Sequence, residues 1–317
     1  MLSVRAAALT FVAIVLCFTP VRLAAQEHPY VSTGSVGSTQ NSSAFATPTY
    51  DASRPFLTLQ PSQWIGKRFI FLFAPKETRQ WAYSDFQPAL DYRQYVGRIA
   101  RVDAIDGPDY GSADHPSSVH LTLEDNGEKL STRCLCPRTS VVLGGMALVD
   151  EIDQARRAYN GHTLWLSFNS PTIETYDAAA DESHSITVPK YSAVTVKDIV
   201  GGSSSSAPLR FILRTSDGTE GYVDVNLSNT NQGTTSHLYH FEDKFLTTDP
   251  HLQYKWPSKT WDAIAKGEIS NGMTPDQVRM AWGNAQDVTN PGSSMEWRYA
   301  SGSVVRFTNG VVSSVSN

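Results

Sequence analysis

Gly272-Met273-Thr274-Pro275-Asp276-Gln277-Val278-Arg279-Met280-Ala281-Trp282-Gly283 carries a full set of instructions for one short helix. Thr274 stands at the N-cap, where its hydroxyl accepts from free backbone N–H groups, and Gln277 three residues on closes a capping box. Pro275 falls at the first helical position, where its missing N–H costs nothing. Met273 and Val278 take the two staple positions, and Asp276 sets a negative charge on the positive end of the helix dipole. Val278, Ala281 and Trp282 recur at i, i+3, i+4 before Gly283 ends the helix.

Downstream the pattern changes to strands. Met295-Glu296-Trp297-Arg298-Tyr299 alternates large apolar with charged residues, giving one buried and one wet face. After the Ser301-Gly302 turn, Val305 and Phe307 continue an apolar face, and Asn309-Gly310 suits a type I′ hairpin into Val311–Val315. Upstream, Trp261, Ile264 and Ala265 mark a short helix that Gly267 closes. The expected order is two helices and then an antiparallel meander.

Gly272, Met273, Thr274, Val278, Gly283, Trp297, Tyr299, Phe307 and Gly310 together resemble the SmpA/OmlA (BamE-like) domain over residues 258 to 317. The resemblance implies a small ααβββ module, and an outer-membrane setting beside the machinery that inserts β-barrels. Ala285 and Trp282 depart from the proline and leucine usual in that family. The motif consists of caps, turns and core positions, so it speaks to fold more than to activity.

The 317 residues hold 26 Lys+Arg against 31 Asp+Glu, a net charge of −5 with no basic cluster, which argues against nucleic acid or anionic lipid as the partner. Arg5, an apolar run from Ala6 to Phe18 and Leu23-Ala24-Ala25 read as a secretory signal peptide over residues 1–25. That run is 13 residues long, short of the ~20 a spanning helix needs, so no membrane span is expected after cleavage. Leu16 before Cys17 does not fit the small residue that lipoprotein processing requires, so the expectation is a periplasmic or secreted protein rather than a lipoprotein. Residues 26–62 are rich in Ser, Thr, Gly, Gln and Pro and read as a disordered linker.

From Trp64 onward short strands alternate with turns, and the order appears twice. Trp64–Phe73, Gln94–Val102, Ser118–Leu123 and Lys129–Thr132 are echoed by Tyr159–Leu166, Lys190–Val196, Pro208–Arg214 and Gly221–Val225. Gly66 and Gly161 lie 95 residues apart, and Gly127 and Gly218 lie 91 apart, the near-constant offset of a duplicated unit. Each copy is the size of a closed five-stranded barrel of Src-homology-3-like type. The fold class expected is therefore mainly β plus α+β: barrel repeats at 63–142 and 159–230, connectors at 143–158 and 231–257, and the BamE-like domain at 258–317.

Candidate chemistry is sparse. Cys134 and Cys136 on one strand would sit about 6.5–7 Å apart, which leaves two readings open, a strained disulfide or two buried thiols. His237, His240, Glu242, Asp243 and His251 have the ligand types of a zinc site but read as a polar connection, since the stretch lacks strong helical pattern. Asp103, Asp106, Asp109 and Asp114 miss the alternate-position spacing of a calcium loop. The seven tryptophans have the chemistry of a sugar-binding face, but most fall at positions expected to be core, leaving one or two for a binding surface. No nucleophile–base motif occurs, so no catalytic residue, metal or cofactor is assigned. The function expected is a non-catalytic exported envelope protein whose partner is an envelope protein or cell-wall polymer. The alternative is a secreted inhibitor of an extracellular enzyme of the lytic, protease or β-lactamase kind.

Overall fold

The computed structural model describes residues 63–106, 117–134, 143–167, 172–228, 230–231, 239–289 and 294–316. The leader and the linker expected over residues 1–62 lie outside the described residues.

The protein is mainly β. The first antiparallel sheet contains β1 (Arg68–Phe71), β2 (Ile99–Asp106), β3 (Ser117–Leu123), β4 (Lys129–Cys134) and β5 (Met146–Leu148), in the order β4-β3-β2-β1-β5. Between β1 and β2 the chain makes a 3₁₀ turn (Arg79–Trp81) and the short helix α1 (Tyr92–Tyr95). Helix α2 (Val149–Tyr159) leads into the second sheet. That sheet contains β6 (Thr163–Leu166), β7 (Thr172–Asp177), β8 (Glu182–Thr187), β9 (Ala193–Ser204), β10 (Ala207–Thr215), β11 (Glu220–Val225) and β12 (Phe245–Leu246). Its order is β12-β6-β9-β10-β11-β7-β8. Two single-turn helices, α3 (Phe241–Lys244) and α4 (Pro250–Gln253), flank β12. The C-terminal part consists of α5 (Ser258–Lys266) and α6 (Pro275–Trp282) followed by the meander β13 (Asp287–Thr289), β14 (Ser294–Arg298), β15 (Val304–Thr308) and β16 (Val311–Ser316).

With the hairpin β7–β8 set aside, both sheets follow one plan: returning strand, first, second, third, fourth. The backbone repeats it in detail. Gly66 N–H donates to Val102 O at 2.8 Å and Val102 N–H to Lys67 O at 2.9 Å; Gly161 N–H donates to Val196 O, and Val196 N–H to His162 O, both at 2.9 Å. Gly97 N–H meets Phe71 O, and Tyr191 N–H meets Leu166 O, both at 2.9 Å. In each unit the segment after the first strand also pairs with the fourth strand, through Phe86 with Thr132 and through Glu174 with Tyr222.

Several expectations need correction. The sheets are open, not closed barrels: in neither do the described end strands pair with each other. The second sheet has seven strands because residues 172–187, which carry little apolar alternation, form a hairpin. Each sheet takes its returning strand, β5 or β12, from a stretch read as a connector; runs of three and two residues are too short for alternation to register. Gln94 and Tyr95, expected to begin a strand, instead end α1, which starts under an Asp91 cap.

The two sheets do not have separate cores. One buried cluster runs from Trp64 through Phe71, Val102 and Leu121 to Ile152, Leu164, Phe211 and Phe241. Helix α2 lies within it because Val149, Ile152, Ala155 and Tyr159 form a single buried stripe. Across the junction stands a ladder of cations and rings. The Arg210 guanidinium lies 3.7 Å from the Tyr222 ring centroid and 5.8 Å from that of Phe73. The Arg79 guanidinium lies 5.5 Å from the same Phe73 ring and 4.8 Å from that of Tyr92. Each arginine is held by two parallel bonds to a carboxylate: Arg79 to Asp181 at 2.8 and 2.9 Å, Arg210 to Asp224 at 2.7 and 2.8 Å. Arg79 and Phe73 belong to the first unit and Asp181 and Arg210 to the second, so the ladder binds the two together. Asn231 adds a polar staple, donating to Leu143 O at 3.0 Å and Met146 O at 2.8 Å and accepting from Leu143 N–H.

Two carboxyls on this body have opposite pH signatures. Arg79 beside Asp181 holds that carboxyl down at about 2. The stability it contributes is present above its ordinary value near 4 and is lost as pH falls toward 2. Glu151, in the first turn of α2, is pushed up to about 7 because burial outweighs its bonds from Ser228. Its Oε1 has no hydrogen-bond partner among the described residues. The folded protein therefore holds a proton there that the unfolded chain releases, and stability falls as pH rises from about 4.5 to 7. Denaturant titrations of Glu151→Gln should remove that fall, worth at most ~3 kcal/mol. Asp181→Asn should remove only the acid-side loss, ~1–2 kcal/mol after solvent screening. A Glu151→Gln curve that still falls between pH 5 and 7 would contradict the assignment.

Candidate functional site

The C-terminal part is built as its sequence reads. Thr274 N–H donates to Gln277 Oε1 at 2.9 Å and Gln277 N–H returns to Thr274 Oγ1 at 3.4 Å, completing the capping box. Met273, Val278, Trp297, Val305, Phe307 and Val312 form its core. Asn309 and Gly310 take positive φ of 51° and 79° in the β15–β16 turn. Gly272, at φ 90°, donates to Val312 O at 2.8 Å and joins the helix start to the sheet. Gly283 is the C-cap of α6.

That C-cap is completed from another part of the chain. The last carbonyls of a helix lack internal partners and carry the negative end of its dipole. Here Lys190 Nζ donates to Ala281 O at 2.5 Å and Tyr191 OH to Met280 O at 2.8 Å, both reaching across from the turn before β9. Tyr191 adopts φ 63°, which non-glycine residues rarely do; the corresponding residue of the first unit is Gly97, at φ 82°. The strain is held by what the side chain meets: Tyr191 is 3% exposed, lies edge-on to Trp261 with centroids 6.0 Å apart, and packs with Ile264 and Ala281.

Beside this joint lies a crevice of about 360 Å³ lined by Lys190, Gly267, Ala281, Trp282, Tyr299, Ser301 and Ser303. Trp282 and Tyr299 stand edge to face, 5.3 Å apart. Each ring is fixed by its polar atom: Trp282 Nε1 donates to Gly267 O at 2.6 Å and Tyr299 OH to Gly283 O at 3.3 Å. Burial raises the Tyr299 phenol to about 12, so it is neutral at physiological pH. Burial also lowers the Lys190 ammonium from its ordinary value. Ser301 and Ser303 ride on the β14–β15 turn, their hydroxyls 3.0 Å apart.

Of the residues singled out in sequence, Tyr299 enters the crevice, as do Gly267, Ala281 and Trp282 from the ends of the two helices. Gly272, Met273, Thr274, Val278, Gly283, Trp297, Phe307 and Gly310 are core, cap and turn positions. Cys136, His237, Asp109 and Asp114 lie outside the described residues, as does the side chain of Cys134. Asp103 accepts from Thr122 and Lys129, and Asp106 pairs with His120 at 2.9 Å. His251 Nδ1 lies 2.8 Å from the Asp249 carboxylate, and its ring packs at a tilt on Trp261 with centroids 4.1 Å apart. Among the described residues no three His, Cys, Asp or Glu side chains group as metal ligands. Among the tryptophans, Trp81 is 61% exposed on the 3₁₀ turn. Lys190, Ser301 and Ser303 carried no sequence signal beyond strand start and turn.

The fold and site thus define a mainly β protein of two like-ordered sheets fused through one core, with a small α/β part held on the second. No family model, curated protein or solved structure matches the chain. No helix among the described residues is long and apolar enough to cross a membrane.

The joint makes a sharp mutational test. Tyr191→Phe should cost about 1 kcal/mol by leaving Met280 O without its donor. Tyr191→Gly relieves roughly 1 kcal/mol of backbone strain but loses the buried ring, typically 3–5 kcal/mol, so it should be the less stable variant in denaturant titrations. A Tyr191→Gly protein as stable as the parent would show that the ring does not hold the joint.

Proposed function

We propose that this chain is a non-catalytic exported interaction protein: two Src-homology-3-like units fused into one platform that carries a BamE-like module. It binds an envelope protein or a cell-wall polymer. The like strand order of the two sheets supports the first part of this reading. The two helices and meander, with the capping box on α6, support the second.

The observation that carries the functional part is the crevice. Its lining offers two fixed rings, two hydroxyls and a cation, groups that hold a ligand, and no acid–base pair. A serine–lysine nucleophile would need a neutral amine on a serine hydroxyl. The Lys190 amine is instead held on Ala281 O, at the C-terminal end of α6.

The test is to mix purified protein with isolated cell-wall sacculi and, separately, with immobilised outer-membrane proteins. Saturable retention on one of them without release of soluble wall fragments is the expected result. Retention on neither, or fragment release that disappears in Ser303→Ala, would overturn the reading.

A further inference from the structure

The lining of the crevice carries one formal charge, that of Lys190, and it is positive. At about 360 Å³ the space is at the small end of the ~300–1,000 Å³ range of small-molecule sites, room for one ring-sized group. Two lining carbonyls are taken by the crevice's own side chains, Gly267 O by Trp282 and Ala281 O by Lys190. The turn behind Ser301 is closed by Tyr299 N–H on Ser303 O at 3.0 Å. A peptide backbone entering here would find those acceptors occupied, and the recognition left to the site is by side chains. Those side chains are of three kinds. Two aromatic surfaces at 86° to one another suit a saturated ring that presents C–H groups on one face. The Ser301 and Ser303 hydroxyls suit a ligand that is itself hydroxylated. The ammonium suits an anion, and its contribution rises because the site is partly withdrawn from water.

Resting on the interaction reading above, we propose that this crevice binds a carboxylate-bearing sugar, with the pyranose against Trp282 and Tyr299 and the carboxylate toward Lys190. The rings are already held by Gly267 O and Gly283 O, so binding requires little ordering of the lining. The same chemistry occurs in the lactyl-ether amino sugar of cell walls and in uronic acids of exopolysaccharides; the assay separates these sources.

The experiment is calorimetric titration of the full chain with N-acetylmuramic acid and its neutral match N-acetylglucosamine, with glucuronic acid and its neutral match glucose, and with sodium acetate. It is paired with NMR observation of the Trp282 indole N–H, assigned through Trp282→Phe. One or both sugar acids should bind and shift that resonance, and the tighter of the two names the source. The matched neutral sugar should bind about tenfold more weakly, the usual worth of one charge-assisted bond. Lys190→Gln should erase the preference for the acid, read as the ratio of acid to neutral-sugar affinity, so that any change in the shared wall cancels. Ser301→Ala with Ser303→Ala, on an exposed turn away from the joint, should weaken both sugars alike. Equal binding of acid and neutral sugars, binding of acetate as tight as of the sugar acids, or an unmoved Trp282 resonance would each overturn the proposal. If the crevice is silent while the chain is still retained on sacculi or envelope protein, this inference fails alone. If retention is absent too, the interaction reading falls with it.

Discussion

The docking of the two sheets depends on the Tyr222–Arg210–Phe73–Arg79–Tyr92 ladder, in which two guanidinium groups lie among three aromatic rings. An arginine only 2% exposed, as Arg210 is, is tolerable because Asp224 meets it with two parallel bonds and the rings accept its faces. Such an ion pair adds little net stability compared with an apolar replacement, but removing one partner is costly, typically 3–5 kcal/mol. Its contribution is specificity: only one docking of the two sheets brings Phe73 between both arginines and Arg79 onto Asp181. The apolar core supplies the bulk of the driving force and is less particular about registry.

The second joint uses a different device. The C-terminal helix α6 ends on carbonyls that need donors, and the turn at Lys190-Tyr191 provides them. Where the first unit has Gly97, the second has a tyrosine held in the same left-handed conformation. The two like-ordered units differ at this turn, and the differing residue, Tyr191, is the one that meets the third part of the protein. The crevice is a consequence of that joint, since Lys190 forms one wall and α6 with the β14–β15 turn forms the others.

The sequence spoke most clearly where a structure is specified locally. The α6 cap, the Asn309-Gly310 turn and the Trp297–Phe307 core could be read because caps, turn glycines and two-residue alternation leave fixed marks at short range. The shared plan of the two sheets could be read from the offsets of Gly66 with Gly161 and Gly127 with Gly218, which bear positive φ in both copies. What escaped is what depends on partners distant in sequence. Strands of two or three residues such as β12 and β5 exist because a neighbour pairs with them. The Arg79–Asp181 and Lys190–Ala281 contacts join residues with no common motif. Openness of the sheets escaped as well, because alternation reports which face is buried and says nothing of whether the edges meet.

The central claim is that the two sheets form one cooperative body through a shared core and the arginine ladder. Native-state hydrogen exchange of the full chain, followed with increasing denaturant, tests it most directly. Amides in β2–β3 and in β9–β10 should converge on a single free energy of opening. Arg210→Met, which leaves Asp224 without its partner, should lower that value equally in both pairs. Two separate isotherms in the parent protein, or a loss in Arg210→Met confined to β9–β10, would contradict the account.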